Sequence, residues 1–229
     1  DLVRSRGLGD VYKRQEQNKV WVGLSKETAH QLGTPISSLM AWMDLLESSG
    51  VDPSLLSDMN KDVNRLSVIA ERFSKIGSKP EMELIYVNEV LENATEYMRR
   101  RVSDKVLITT HLPSDAEGAM VCLSLFEWVI ENLCKNAVDA MNGEGRIDVY
   151  MTSEKQQIYI DIKDTGKGIA RKNFKTVFNP GYTTKKRGWG LGLTLAKRII
   201  EDYHAGRIYV KDSEVGKGTI FRIELKRVV

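Results

Sequence analysis

From Gln15 to about Glu47 the apolar positions Val22, Ala29, Leu32, Ile36, Leu39, Met43 and Leu46 fall mostly at alternating steps of three and four. That spacing predicts an amphipathic helix with a coiled-coil-like seam. After a break at SSGVDPS, the set Leu56, Met59, Val63, Leu66, Ala70 and Phe73 repeats it. Ser48, Gly50 and Pro53 end one helix and begin the next, with Asp52 or Ser54 as its cap. Two such helices joined by a short turn make an antiparallel hairpin, and a lone pair cannot bury both stripes. The expectation is a homodimer through residues 16–78 that completes a four-helix bundle.

A polar, Gly- and Pro-containing link over Ser74 to Pro80 follows, which places a domain boundary near Gly77 to Pro80. Beyond it VNEVLENATEYMRRR and EWVIENLCKNAVDAM carry a helical period. VLITTHL, RIDVYMT, QIYIDIK, RIYVKD and TIFRIEL read as strands, with turns around Ser153 to Gln156 and at Glu214 to Lys217. The predicted class is α+β: the helical hairpin, then an α/β sandwich over residues 79–229 with a mixed sheet and helices on one face.

A length of 229 residues suits one or two domains with a real core. With 41% hydrophobic residues and a net charge of +3, neither disorder nor a nucleic-acid partner is favoured. Cys122 and Cys134 sit in apolar patterns, which suits reduced core thiols of a cytoplasmic domain better than a disulfide. No run approaches the length of a membrane span, and no secretory signal is present. Residues 1–15, DLVRSRGLGDVYKRQ, begin with Asp and lack a sustained apolar period. They read as non-native adapter read-through or as a basic linker after a membrane helix. Either way an N-terminal part is expected to be missing, and any membrane attachment would come through it.

Candidate chemistry begins at DTGKGI, Asp164 to Ile169, and at GWGLGL, Gly188 to Leu193. Glycines at such turns let backbone N–H groups approach a phosphate chain with no Cβ in the way. Asp164 ends a predicted strand, where its carboxylate can accept from a purine amino group, and the helix GLGLTLAKRII would turn its N-terminal amides toward the anion. Asn132 and Asn136, four residues apart on one helix face, can hold a hydrated magnesium ion against phosphates. Between the glycine motifs, ARKNFKTVFNPGYTTKKR reads as a lid: Thr183, Lys185 or Lys186 would approach the phosphates, while Phe174 and Phe178 anchor its base. Trp189 is an adenine-side wall or a surface aromatic, and His111, inside a strand, is structural. GKGTIF adds Gly216, Gly218 and Thr219.

The order Asn helix, Asp-x-Gly-x-Gly, basic loop, Gly-x-Gly-Leu-Gly-Leu, Gly-x-Gly-Thr resembles the ATP-binding domain shared by sensor histidine kinases, DNA gyrase, Hsp90 and MutL. The resemblance implies Mg-ATP as ligand, with Asp164 on the adenine amino group and Gly166 and Gly168 in the close turn beneath the base. It further implies Asn136 as magnesium ligand supported by Asn132, Gly190, Leu191 and Gly192 along the phosphates, and Thr219 in water-linked contacts near Asp164. Glu131 could be only a helix-surface carboxylate. The ATPases of that superfamily carry a catalytic Glu where Asn132 stands, and its loss favours transfer to a protein group over attack by water.

On the first helix His30 lies one residue past Ala29, about 100 degrees off the seam, so it should face solvent or a partner. In HQLGTPISSL, Pro35 should kink the helix close by. Here the chain is similar to the dimerisation and histidine-phosphotransfer domain of two-component sensor kinases, whose H-box runs His, acidic residue, x, x, Thr, Pro. His30, Thr34 and Pro35 match, while Gln31 stands where the family has an acidic residue that takes the imidazole proton, and a Gln cannot. The resemblance implies autophosphorylation on His30, transfer to an Asp of a response regulator receiver domain, and a water-positioning role for Thr34 in dephosphorylating that regulator. Gln31 keeps a second reading open, a non-catalytic or phosphatase-biased ATP-dependent switch. A stand-alone ATPase of the gyrase or Hsp90 kind is a third.

Overall fold

A computed structural model describes residues 23, 27–76, 78, 80–184 and 190–228. Residues 1–22, Gly77, Lys185, Lys186 and Trp189, on which some of the expectations above rest, lie outside the described residues. The chain divides between Pro80 and Glu81 into two compact units.

In the first unit, helix α1 covers residues 27–48 and helix α2 covers Pro53–Ile76. Gly50 takes φ 80°, the left-handed conformation that ends a helix at no Cβ cost, and the N–H of Val51 returns to Leu46 O at 3.2 Å. Of the two predicted caps, Asp52 makes the contact: its Oδ1 accepts from Ser54 N at 2.8 Å. Hydrogen bonds from the Ser54 backbone and hydroxyl hold this exposed carboxyl below its ordinary pKa.

Ile36, Met43, Val63 and Ala70 form the hairpin's core, with Leu32 packed against it. Each helix thus contributes core residues seven apart, as a heptad seam requires. The intervening seam positions Leu39, Leu46, Met59 and Leu66 stay 37–47% exposed. Two helices alone cover only part of the stripe. α1 runs through Pro35 as continuous helix, with the Ser37 and Ser38 hydroxyls donating to Gly33 O at 2.9 Å and Thr34 O at 3.2 Å.

The second unit is a seven-stranded mixed sheet. Its elements in order are β1 (Glu83–Tyr86), α3 (Val87–Arg99), β2 (Val106–His111), β3 (Gly118–Val121), α4 (Leu123–Ala140), β4 (Gly145–Glu154), β5 (Gln157–Asp164), two 3-10 turns at Arg171–Asn173 and Thr176–Phe178, α5 (Gly192–Arg198) continuing as a π-turn over Ile199–Tyr203, β6 (Arg207–Glu214) and β7 (Gly218–Val228). The strand order is β1-β3-β7-β5-β4-β2, with β6 also on β7. β2 and β4 pair in parallel and the other strands antiparallel.

Along β5 burial alternates: Ile158, Ile160, Ile162 and Asp164 are buried and the residues between them half-buried. α4 packs against β4, β5 and β7, α3 against β2 and α5 against β6. Apolar side chains on the helix-facing side of β5 therefore meet Leu125, Phe126, Val129, Leu133 and their neighbours, which fall at helical spacing on α4. The predicted turns tighten to residues 155–156, where Lys155 takes φ 54°, and 215–217. Both cysteines are buried and free, and burial pushes the Cys134 thiol up to about 12. His204, buried, links two elements: its Nε2 accepts from Cys122 N at 3.0 Å ahead of α4, and its Nδ1 donates to Ile199 O at 2.7 Å. Those two bonds fix the ring as neutral, and desolvation lowers its pKa.

Another row of side chains, on β5, β6 and β7, is laced by charge. Arg222 grips Asp161 with two bonds of 2.6 and 2.7 Å, Lys211 adds a third at 2.7 Å, and the Tyr209 hydroxyl donates to Glu224 at 2.7 Å. Burial alone would raise the Asp161 pKa, but the hydrogen bonds from Arg222 and Lys211 outweigh it and hold the carboxyl below its ordinary value. A carboxyl depressed in the folded state stabilises above its unfolded pKa, and that stability fades as pH falls through the folded one. Asp161→Asn should therefore cost about 1 kcal/mol at neutral pH for this partly exposed pair. Urea unfolding at neutral pH and again in acid checks this, the difference from the unaltered chain shrinking as pH falls through the folded-state pKa.

Candidate functional site

Asp164 ends β5 on the helix-facing side, 3% exposed. Its Oδ1 accepts from Gly166 N at 2.8 Å, and across the sheet it stands in register with Thr219 of β7. Burial pushes its pKa up, while hydrogen bonds from the Gly166 and Thr219 backbones pull the other way. A buried carboxylate held by backbone donors keeps lone pairs to accept from a ligand N–H.

The loop after it is fixed on both sides by glycine. A Cβ on Gly166 would stand 2.7 Å from the Ala140 carbonyl carbon at the end of α4, and Lys167 N bonds Ala140 O at 3.0 Å. Gly168 takes φ 71°, and a Cβ there would come within 2.1 Å of Glu214 O, where β6 ends. Both glycines thus serve close packing of the Asp164 loop between α4 and the β6–β7 turn. Ser213, which the motif reading passed over, completes the tie: its hydroxyl accepts from Ile169 N at 2.7 Å, donates to Gly218 O at 2.8 Å and lies 3.0 Å from Thr219 Oγ1. Thr165 is a second omission, its Oγ1 accepting from Arg146 N at 3.0 Å and donating to Met141 Sδ.

Asn132 and Asn136 lie on one face of α4, both half-buried. The Asn132 Nδ2 is buried and has no hydrogen-bond partner among the described residues, a cost of about 1–3 kcal/mol unless something accepts from it. A Cβ on Gly192 would lie 2.5 Å from Asn132 Oδ1, so the first residue of α5 abuts this amide, and any larger residue there would have to push the Asn132 side chain aside. Leu191 and Gly190 precede it, both half-buried. Glu131 is buried, unlike the helix-surface carboxylate expected, because its position falls on the core side of α4 between Ile130 and Leu133.

The intervening loop has a closed base. Gly181 N donates to Gly190 O at 3.2 Å, and a Cβ on Gly190, at φ 64°, would stand 2.5 Å from the Gly181 carbonyl carbon. Phe178 is buried and meets Phe221 edge-on at 6.1 Å, and its carbonyl accepts from Thr194 Oγ1 at 3.0 Å. Phe174 is only half-buried. Thr183 is exposed within the loop, and Lys167 reaches across from the Asp164 loop to Thr184 Oγ1 at 2.8 Å. Lys167 is a contact that the glycine motif alone does not reveal. The unit therefore places Asp164 and Thr219 at the end of β5, where Gly166 meets the last turn of α4, and sets Asn132, mid-way along α4, against Gly192 at the start of α5. His111, 3.1 Å from Asp148 Oδ1 and stacked on Tyr150, belongs to the far side of the β2–β4 pair and has a structural part.

In the first unit His30, Gln31 and Thr34 are exposed on α1. Gln31 Nε2 donates to Glu27 Oε1 at 2.7 Å, one turn earlier. Among the described residues no cluster of three or more His, Cys, Asp and Glu side chains is placed to hold a metal ion, and no helix is long and apolar enough to cross a membrane.

Residues 123–229 match the family described as histidine kinase-, DNA gyrase B-, and HSP90-like ATPase. Sporulation kinase E of Bacillus subtilis is 28% identical over 232 residues, which covers 98% of this chain and 31% of that kinase. The chain spans about a third to a half of the length of the curated relatives it matches. Among solved structures, the catalytic domain of histidine kinase ThkA aligns with a TM-score of 0.59 at 22% identity, over 64% of this chain and 96% of its own. Histidine kinase ThkA in complex with response regulator protein TrrA aligns with a TM-score of 0.62 at 19% identity, over 97% of this chain and 66% of that one. At these identities the structural likenesses speak for the fold. Residues 123–229 thus carry the histidine kinase-, DNA gyrase B- and HSP90-like ATPase domain, and along nearly its whole length the chain is similar to two-component sensor histidine kinases.

Proposed function

We propose that this chain is the ATP-dependent core of a sensor histidine kinase, with residues 16–78 as dimerisation and histidine-phosphotransfer hairpin and residues 79–229 as ATP-binding domain. One observation carries the reading. A carboxylate with backbone donors at a strand end, Asp164, shares its unit with an amide that lacks an acceptor, Asn132, while an exposed imidazole, His30, stands on the preceding helix.

In this reading Asp164 accepts from the adenine amino group, Gly166 and Gly168 keep the loop close beneath the base, and Thr219 supports Asp164. Gly190, Leu191 and Gly192 border the phosphates, with Thr183 and Lys185 of the intervening loop as further phosphate contacts. The orphaned Asn132 Nδ2 fits a phosphate or water oxygen, and Asn136 would hold magnesium, which supplies charge neutralisation when bound. His30 accepts the γ-phosphoryl group, with Gln31 orienting the ring, and passes it to an Asp on a response regulator receiver domain. Support for that partner comes from the related fold solved with a response regulator. Thr34 would place water when the regulator is dephosphorylated. The half-covered seam of the hairpin supports a homodimer. Because positioning and charge neutralisation dominate phosphoryl transfer, the signal would act on the approach of ATP to His30. Gln31, lacking a carboxylate, favours as second reading an ATP-dependent switch biased to phosphatase action.

Incubation with γ-labelled ATP should leave acid-labile label on the unaltered chain and none on His30→Ala. ATP binding without label would support the switch, and phosphate release independent of His30 a stand-alone ATPase. Asp164→Asn separates binding from folding. Because burial raises the Asp164 pKa, keeping it charged at neutral pH opposes folding, and Asn removes that charge while keeping an oxygen for Gly166 N. Its ATP affinity should fall about tenfold to a hundredfold, the worth of a hydrogen bond to a charged group, while its thermal midpoint holds or rises. Titration with ATP beside a thermal melt measures both, and a drop in midpoint would mark Asp164 as a structural residue.

A further inference from the structure

Bond formation between phosphorus and a neutral imidazole leaves the ring with one proton too many, so the step needs an acceptor beside the second ring nitrogen. The Gln31 amide cannot serve. Among the described residues of α1 the acidic side chains are Glu27, Asp44 and Glu47, and only Glu27 lies within one helical turn of His30. Residues three apart are surface neighbours on a helix. Gln31 Nε2 donates to Glu27 Oε1 at 2.7 Å, and Glu27, His30 and Gln31 are all exposed, open to an incoming triphosphate. On α2, Glu71 follows core residue Ala70, but its carboxylate is engaged by Lys75 Nζ at 2.9 Å.

We propose that Glu27 is the proton acceptor for His30, held in place by Gln31. The inference rests on the reading above, in which His30 is phosphorylated. The ring nitrogen that carries no hydrogen bonds to the γ-phosphorus as the bond from that phosphorus to the β–γ bridging oxygen breaks, and ADP leaves with the electron pair. The N–H of the other ring nitrogen gives its proton to Glu27. A carboxylate accepts through both oxygens, so the bond from Gln31 occupies Oε1 and the proton goes to Oε2. The products are a phosphohistidine whose ring is neutral and whose phosphoryl group keeps its negative charge, a carboxylic acid and ADP. Gln31 thereby acts as a positioning residue: it replaces an adjacent acid by steering one from the previous turn.

The test is the rate of acid-labile labelling of the full chain from γ-labelled ATP, with ATP binding and helix content measured alongside. Glu27→Gln preserves shape and removes the base, and it should slow labelling roughly a hundredfold with ATP affinity and helicity unchanged. Adding Gln31→Glu to that variant returns a carboxylate beside the imidazole and should recover most of the rate. Labelling of Glu27→Gln at the unaltered rate would overturn the inference alone, leaving His30 as acceptor. So would a slow double variant with no recovery, since Glu27 would then be a helix-surface partner of Gln31. No label on the unaltered chain would overturn the phosphorylation reading, and this inference with it.

Discussion

Three strands of backbone pass one another at the end of β5 with no room for a side chain. A Cβ on Gly218 would sit 1.9 Å from Asp164 O, and one on Gly168 would sit 2.1 Å from Glu214 O. At such separations only glycine is tolerated, and the consequence is positional: the Asp164 loop cannot drift from the start of β7 or from the β6–β7 turn. Everything proposed for the nucleotide depends on this clamp. It sets where the carboxylate points, presents Thr219 and Ser213 beside it, and lets Gly166 rest on the last turn of α4, the helix that carries Asn132 and Asn136.

The second half of the site is tied to the first through α4. Gly192 abuts Asn132, so the start of α5 follows wherever α4 goes, and His204 bonds the approach to α4 at one end of the same helical layer. Two side-chain links, through the Asn132 amide and the His204 imidazole, thus tie α4 to the α5 segment. Neither uses a charged group, and neither weakens with salt. By contrast the Asp161–Arg222–Lys211 cluster steadies the sheet with charge, away from the proposed ligand.

Legibility from sequence followed the length of the pattern. The hairpin and α4 were readable because their apolar periods persist over several turns, and β4 to β7 because alternation runs for eight residues or more. β1 and β3, four residues each, went unread, since ELIY and GAMV are too short to show a period and owe their strand state to pairing with each other and with β7. The acid and glycine positions stood out chemically, yet what the glycines pack against could not be read: Ser213 enters only through the β6–β7 register, and Lys167 only through the fold of the loop onto Thr184. Glu131 was misjudged because one turn of helix holds both the core face and its margin. The bond between Gln31 and Glu27 follows from a spacing of four on a helix and is legible in the sequence.

β7 is both the last strand in chain order and the seam of the sheet. It alone joins the β1–β3 pair to the β5-β4-β2 block, and it also holds β6. During synthesis the β4–β5 hairpin can form as soon as it emerges, but the two halves of the sheet have no common neighbour until residues 218–228 arrive. The nascent unit must therefore wait with open strand edges, the state in which aggregation competes with folding.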